Sequence, residues 1–203
     1  MIGIILLAAG NSRRFQGENK LLAKIGAKPL CVYSFESWKE AADRVKDCLV
    51  FVVGRDAKIL TAAERMGFVP VKSPDSEKGI SYSIQSGIYA AARKFPNGFA
   101  DTDRLVFSVS DQPFLQANTL IRFLNSAKSS PYACLSLKGK PYNPVSFSPE
   151  AIPELLSLTG DQGGKKVLRT HLGETLMVEV SSEEELKDVD FRKDLDDLSA
   201  DMV

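Results

Sequence analysis

The chain has 203 residues, 44% of them hydrophobic and 26% charged, with 26 basic side chains against 26 acidic ones. That size and balance describe an ordinary globular protein with one sizeable core. Zero net charge gives no general attraction to nucleic acid or to an anionic membrane surface, and no apolar run reaches the ~20 residues that cross a bilayer.

In chain order, Ile2 to Leu7 is a continuous apolar run. It reads as a buried strand rather than a leader peptide, because no basic residue precedes it and the cations follow it; a cytoplasmic protein is expected. The segment LLAAGNSRRFQGENKLL, Leu6 to Leu22, breaks the run at Gly10 and opens a loop carrying Arg13, Arg14 and Lys20 before leucines resume. Pro29 to Trp38 has the pattern of a helix with proline in its first turn. CLVFVVG is a second continuous strand, Ile59 to Met66 a helix stopped by Gly67, and FVPV a short strand. Ser81 to Phe95 places Ile84, Ile88, Ala91 and Phe95 on one helical face. RLVFSVS is the next strand, and Asp111 follows it directly. Leu120, Ile121, Leu124 and Ala127 mark an amphipathic helix, and YACLSL and PVSFS are strands about a Gly-Lys-Pro turn. Short helices near Pro149 to Ser157 and Gly163 to His171 precede a strand at Thr175 to Val180, with a helical tail after Asp190.

Continuous apolar strands alternating with helices predict a mostly parallel sheet covered on both faces. The expected architecture is a single α/β domain over residues 1–203, a Rossmann-like three-layer sandwich. Cys31, Cys48 and Cys134 are an odd number without a Cys-x-x-Cys pair and read as buried small hydrophobes. His171 is the only histidine, so no cluster of imidazole ligands is available.

In open α/β sheets, ligands sit beyond the carboxyl ends of the strands, which singles out the loops after the first strand and after RLVFSVS. In the first, a strand running into Gly10 can bend and present backbone N–H groups to an anion. Ser12 adds a hydroxyl, Arg14 a planar fork that matches phosphate, and Lys20 a mobile point charge. The order of strand, glycine, serine and cations favours anion binding over a solvated basic loop. It is neither a P-loop nor a dinucleotide fingerprint. In the second loop, SDQPFL fixes a carboxylate at the sheet edge, where Asp111 suits Mg2+ as well as it suits starting a turn. Asp188 and Asp190 precede the tail helix, and Asp190 reads either as its cap or as a second metal ligand.

Taken together, these segments resemble a known family. LLAAGNSRRFQGENK is similar to the LAAGxSxRxGxxK signature of nucleotidyltransferases with the molybdenum cofactor guanylyl/cytidylyltransferase fold. EKGISYSIQSGI resembles that family's loop-and-helix segment, SDQPFL its metal motif and DVDFRKDLDDL its closing segment. GKPYNPVSFS and GDQGGKKVL resemble the molybdenum cofactor cytidylyltransferase branch. Four positions depart from the pattern. Gln16 stands where glycine is usual, with Gly17 one place later, so Arg14 and Lys20 are six apart; Ser110 replaces a glycine and Phe191 a threonine.

The resemblance implies transfer of CMP from CTP to the terminal phosphate of molybdopterin, the pterin of the molybdenum cofactor, with a molybdenum hydroxylase receiving the product. Arg14, Lys20 and Asp111 would be catalytic. Ala8, Ala9, Gly10, Ser12, Arg14, Lys20, Gly79 and Ser83 would bind the nucleotide, and Asp111 with Asp190 would hold Mg2+. Residues 130–185 would supply the acceptor side through Asn143, Pro144, Gly160, Asp161, Gln162 and Gly163. Ala8-Ala9-Gly10 is the form usual in members that use CTP, where guanylyl members carry Ala-Gly-Gly. The alternatives are guanylyl transfer to the same acceptor, transfer to a sugar or polyol phosphate, and an accessory protein that carries molybdopterin without chemistry. Nucleic acid and membranes are not expected partners.

Overall fold

The first strand, β1 (Ile2–Ala8), carries no polar side chain because it is flanked on both edges and covered on both faces. The computed structural model describes residues 1–10 and 19–189. After β1 come a two-stranded ribbon of β2 (Lys24–Ile25) and β3 (Lys28–Pro29), then α1 (Leu30–Arg44), β4 (Cys48–Gly54), α2 (Ala57–Arg65), β5 (Val69–Lys72) and α3 (Ile80–Ala92). The second half runs β6 (Arg104–Val109), α4 (Ala117–Ala127), β7 (Tyr132–Leu137), β8 (Lys140–Phe147), α5 (Ile152–Leu156), α6 (Gly164–Thr170) and β9 (Thr175–Glu179).

Seven strands among the described residues form one sheet in the order β5-β4-β1-β6-β8-β7-β9. β1 runs parallel to β4, from Ile2 opposite Cys48 to Ala8 opposite Gly54, and parallel to β6, from Ile2 opposite Arg104 to Leu7 opposite Val109. The sheet is mostly parallel, as expected, the exception being β8, which is antiparallel to both β6 and β7. The cause is local. β7 and β8 are joined by Lys138 and Gly139, both at positive φ (51° and 74°), and a two-residue connection of that kind can only return the chain antiparallel. β8 also begins earlier than PVSFS suggests, so Asn143 and Pro144, joined by a cis peptide bond, lie within the strand.

Side chains of the sheet alternate between two cores. Ile4, Leu6 and Ala8 of β1 join Phe35 and Trp38 of α1, Ile59 of α2 and Phe123 of α4 on one face. Ile5 of β1 joins Phe107 and Phe147, Ile84 and Ile88 of α3, and Val167 and Leu168 of α6 on the other. Fully burying such a side chain contributes ~1.5–3 kcal/mol, so each face is stabilised by several large residues. This is the three-layer α/β arrangement expected from the strand and helix pattern.

At the amino end of β6, Arg104 is only 8% exposed. Its guanidinium donates to the carbonyls of Ala127, Ser130, Lys128, Asp101 and Asp103 at 2.6–3.1 Å. Burial pushes its pKa down from the ordinary value, and the ring of carbonyls supplies the acceptors that a buried cation requires. That clamp ties α4 to β6, the strand that carries Asp111 at its other end.

The three cysteines are free; Cys31 and Cys134 are buried as expected while Cys48, at the start of β4, is half-buried, and desolvation pushes the thiols of Cys31 up to about 12 and of Cys48 and Cys134 up to about 11. Thiolate is the reactive form. The native protein at pH 8 should therefore react only slowly with a disulfide reagent such as DTNB, and all three thiols should react at once in guanidinium. Rapid labelling of the native chain would contradict this burial.

Candidate active site

The strand order places a crevice at the carboxyl ends of β1 and β6. From β1 the chain moves outward to β4 and β5, then returns to β6 on the opposite side, and the two loops diverge over the gap between β1 and β6. Ala8 and Ala9 line its floor, 1% and 9% exposed, and Gly10 opens to solvent. Ser12 and Arg14, expected at the nucleotide, lie outside the described residues, as does Asp190.

The first loop returns at Asn19, which is fixed at both ends of its side chain. Asn19 Oδ1 accepts from the Leu21 N–H at 3.1 Å, and Asn19 Nδ2 donates to Asp56 Oδ2 at 3.3 Å. Asp56 in turn caps α2 through the Lys58 N–H at 2.9 Å, a cap of the usual kind. With Leu21 buried beneath it, Lys20 is directed over the crevice. Lys20 Nζ lies 2.5 Å from Asp111 Oδ2 and donates to the carbonyl of Val189 at 3.1 Å. The pair joins the two loops that sequence reasoning singled out separately. Its side chains are 13% and 20% exposed, so water screens it much less than a surface pair.

Asp111 is held from behind. Its backbone carbonyl accepts from the Val189 N–H at 3.1 Å. The next residue, Gln112, is buried and donates through Nε2 to the Leu186 carbonyl at 3.5 Å. The Asp-Gln pair therefore also binds the segment leading to Asp190. Asp111 Oδ1 is buried without a hydrogen-bond partner, an unsatisfied acceptor of the sort that calls for an explanation. Among the described residues, no group of three or more His, Cys, Asp or Glu is placed to hold a metal ion. A hard divalent cation accepts a single carboxylate oxygen of this kind together with water and substrate oxygens.

A second junction joins the other two segments. Gly79, at φ 138°, precedes α3, and a Cβ built on it would lie 2.1 Å from both the carbonyl carbon and the oxygen of Gly160. The Gly160 carbonyl accepts from the Ser81 N–H at 3.1 Å. The expected nucleotide segment and the expected acceptor segment are therefore in backbone contact. Ser83 is buried one turn into α3. Ser81, which sequence reasoning passed over, is buried at the start of that helix with its hydroxyl unpartnered.

On the acceptor side the expected residues divide. Asp161 is exposed, and Gly163 is the N-cap of α6. Gln162 turns its Oε1 inward to its own loop, accepting from the Thr159 N–H at 3.3 Å and from Lys166 Nζ at 3.0 Å. Asn143 is half-buried and Pro144 buried on β8. His171 stands apart from all of these. It stacks on Tyr132, at the amino end of β7, with ring centroids 4.1 Å apart, and its Nε2 lies 3.0 Å from Glu154 Oε1. Since β7 runs in the same direction as β6, that places it at the opposite edge of the sheet from Asp111.

A crevice at a strand-order switch, with a lysine and an aspartate converging from its two loops, belongs to the nucleotide-handling α/β proteins. The chain is a member of the MobA-like NTP transferase domain family, whose model matches residues 4–176, and it is accordingly a MobA-like nucleotidyltransferase. The purine catabolism protein PucB of Bacillus subtilis (strain 168) is 28% identical over 209 residues, covering 97% of this chain and 94% of that protein. Among solved structures, Rv0371c of Mycobacterium tuberculosis H37Rv superposes with TM-score 0.76 at 23% identity, over 98% of this chain and 97% of its own. That protein has also been crystallised in complex with manganese. A nucleotidyl transferase from Methanothermobacter thermautotroptrophicus, Mth528, superposes with TM-score 0.77 at 20% identity, over 99% and 97% of the two chains.

Gly79→Ala tests the second junction. The positive φ alone costs about 1–3 kcal/mol for a residue with a side chain, and the clash with Gly160 adds to it. A lower urea midpoint together with a raised KM for the nucleotide is expected, measured by denaturation and steady-state kinetics. Wild-type values for both would show that the two loops part without consequence.

Proposed function

We propose that this nucleotidyltransferase moves CMP from CTP to the terminal phosphate of molybdopterin. An oxygen of the acceptor phosphate forms a bond to the α-phosphorus, the bond from that phosphorus to the bridging oxygen of the β-phosphate breaks, and pyrophosphate leaves. The observation that carries this reading is the contact of Lys20 with Asp111 across the crevice between β1 and β6. It sets a cation and a carboxylate side by side where a nucleotide's phosphates would lie.

The attacking oxygen is already anionic, so no general base is needed, which accords with the position of the one histidine at the far sheet edge. What the protein must supply is alignment and neutralisation of charge on the reacting phosphates. We assign Lys20 to the triphosphate, where it stabilises charge on departing pyrophosphate, together with Arg14 and the backbone from Gly10 to Ser12. Asp111, through its unpartnered Oδ1, would hold a divalent cation, with Asp190 as a second ligand. When bound, that cation supplies further positive charge between nucleotide and acceptor, and Mg2+ is our choice for it. Manganese in the complex of the mycobacterial protein is in keeping with a divalent ion here. Gly79 and Ser83 face the nucleotide in this reading, and Asn143, Pro144 and Gly160 to Gly163 the pterin. Gln162 serves there by shaping its loop. A molybdenum hydroxylase would take up the product.

CTP is favoured over GTP because Ala8 and Ala9 are both buried at the floor of the crevice. A methyl group at the second position narrows the room for a purine. Pyrophosphate release measured with CTP or GTP, Mg2+ and molybdopterin should favour CTP by at least about tenfold, a difference of ~1.4 kcal/mol. A preference for GTP, or activity only with sugar phosphates, would replace this assignment.

Lys20→Ala and Asp111→Asn should each lower kcat by about 10²–10³, the usual loss when one charge-stabilising group is removed, with an unchanged circular dichroism spectrum. Near-normal turnover in a folded variant would remove that residue from the chemistry.

A further inference from the structure

Lys165 has a setting unlike the other lysines of the acceptor side. It is half-buried on α6, immediately after the Gly160 to Gly164 segment, with its ammonium 5.6 Å from the ring centroid of Tyr142 on β8. Among the described residues no carboxylate lies within ion-pair distance of it and no hydrogen bond is made to it. Its neighbour Lys166 is exposed and donates to Gln162, an ordinary surface arrangement. Burial pushes the Lys165 pKa down, Asp188 opposes that from a distance, and Arg169 adds to the lowering. A half-buried ammonium resting on an aromatic ring and lacking a close counter-ion is an unfavourable arrangement unless an anion completes it.

Its position relates it to the crevice. Because β8 is antiparallel to β6, with Val145 opposite Phe107, Tyr142 near the start of β8 lies toward the carboxyl end of β6, the end at which Asp111 stands, and Lys165 rests on its ring. Tyr142, which supports the ammonium, directly precedes Asn143 and Pro144. Two cations thus stand at the same end of the sheet, Lys20 paired with Asp111 and Lys165 without a close partner among the described residues. The proposed reaction joins two substrates that both carry phosphate and repel each other on approach, so each needs its own positive charge.

We propose that Lys165 receives the terminal phosphate of the acceptor and positions its oxygen for attack, with the Tyr142 ring steering the ammonium. This rests on the reading of the acceptor as a phosphate monoester. The class of acceptor follows from the chemistry of the site: a dianionic phosphate on a molecule large enough to reach along β8 and the Gly160 loop.

Full-length wild type, Lys165→Met and Lys165→Arg are compared by pyrophosphate release with CTP, Mg2+ and molybdopterin. Methionine keeps an apolar stem on Tyr142, so folding should persist and is checked by circular dichroism. The expected result is at least a tenfold rise in KM for molybdopterin in Lys165→Met, with KM for CTP within twofold of wild type and partial recovery in Lys165→Arg. An unchanged KM for molybdopterin, or a rise in KM for CTP instead, overturns the proposal. If the wild type releases no pyrophosphate with molybdopterin, the cytidylyl reading fails separately, and calorimetric titration with inorganic phosphate decides about Lys165. Phosphate binding present in wild type and lost in Lys165→Met sustains the anion site, while equal binding in both, or none in the wild type, refutes it.

Discussion

The contact between Lys20 and Asp111 is the constraint on which the site depends. The two residues are 91 positions apart and lie on loops that share no secondary-structure element. They meet because β1 and β6 are hydrogen-bonded neighbours in register to their carboxyl ends. A partly buried ion pair of this kind gives up hydration on both sides and persists only where further polar contacts hold the partners. Here Asn19 fastens the lysine's loop to Asp56, while Gln112 and the Val189 N–H hold the aspartate's loop to the closing segment. The charges are placed by backbone and amide contacts on each side.

The second junction works differently. Gly79 and Gly160 meet through backbone alone, at a distance no side chain would permit, and the Ser81 N–H bonds to the Gly160 carbonyl across it. Where the first junction brings opposite charges together, this one brings the loop before α3 and the Gly160 loop close by having no side chain between them. Lys20 also reaches the closing segment, donating to the Val189 carbonyl. Phosphoryl chemistry of the proposed kind asks for positioned charge more than for a proton-transferring group. The architecture supplies this with few polar side chains.

Much of the frame is legible before any coordinates. The continuous apolar runs at Ile2–Ala8, Cys48–Gly54 and Arg104–Val109 are strands because strands covered on both faces cannot alternate with polar residues. Helix patterns at α1 to α4 are equally plain, since each buries one stripe against a sheet face. The turn between YACLSL and PVSFS was readable, but not that β8 would sit between β6 and β7 and run antiparallel to both; the positive φ at Lys138 and Gly139 makes the tight return. The small ribbon of β2 and β3 was also missed, being two residues on each strand and too short for any periodicity.

The candidate site shows the same division. Lys20 and Asp111 were each readable as a charged residue placed just beyond a strand, because loops at strand ends are where such folds expose functional groups. Lys165 was not readable, because in a Lys-Lys doublet nothing local separates the exposed member from the half-buried one. That Gln162 closes its own loop with Oε1 was not readable either, since its partners Thr159 and Lys166 are fixed only by the fold of that loop. By itself, the order of apolar runs, glycines and charges determined the layered α/β class and the two loops where chemistry would sit, since these follow from local pattern and burial. Which charge meets which carboxylate, which glycines touch, and which lysine rests on an aromatic ring were decided only by the tertiary structure. Each of those is a contact between segments far apart in the chain, created by strand order and invisible to spacing.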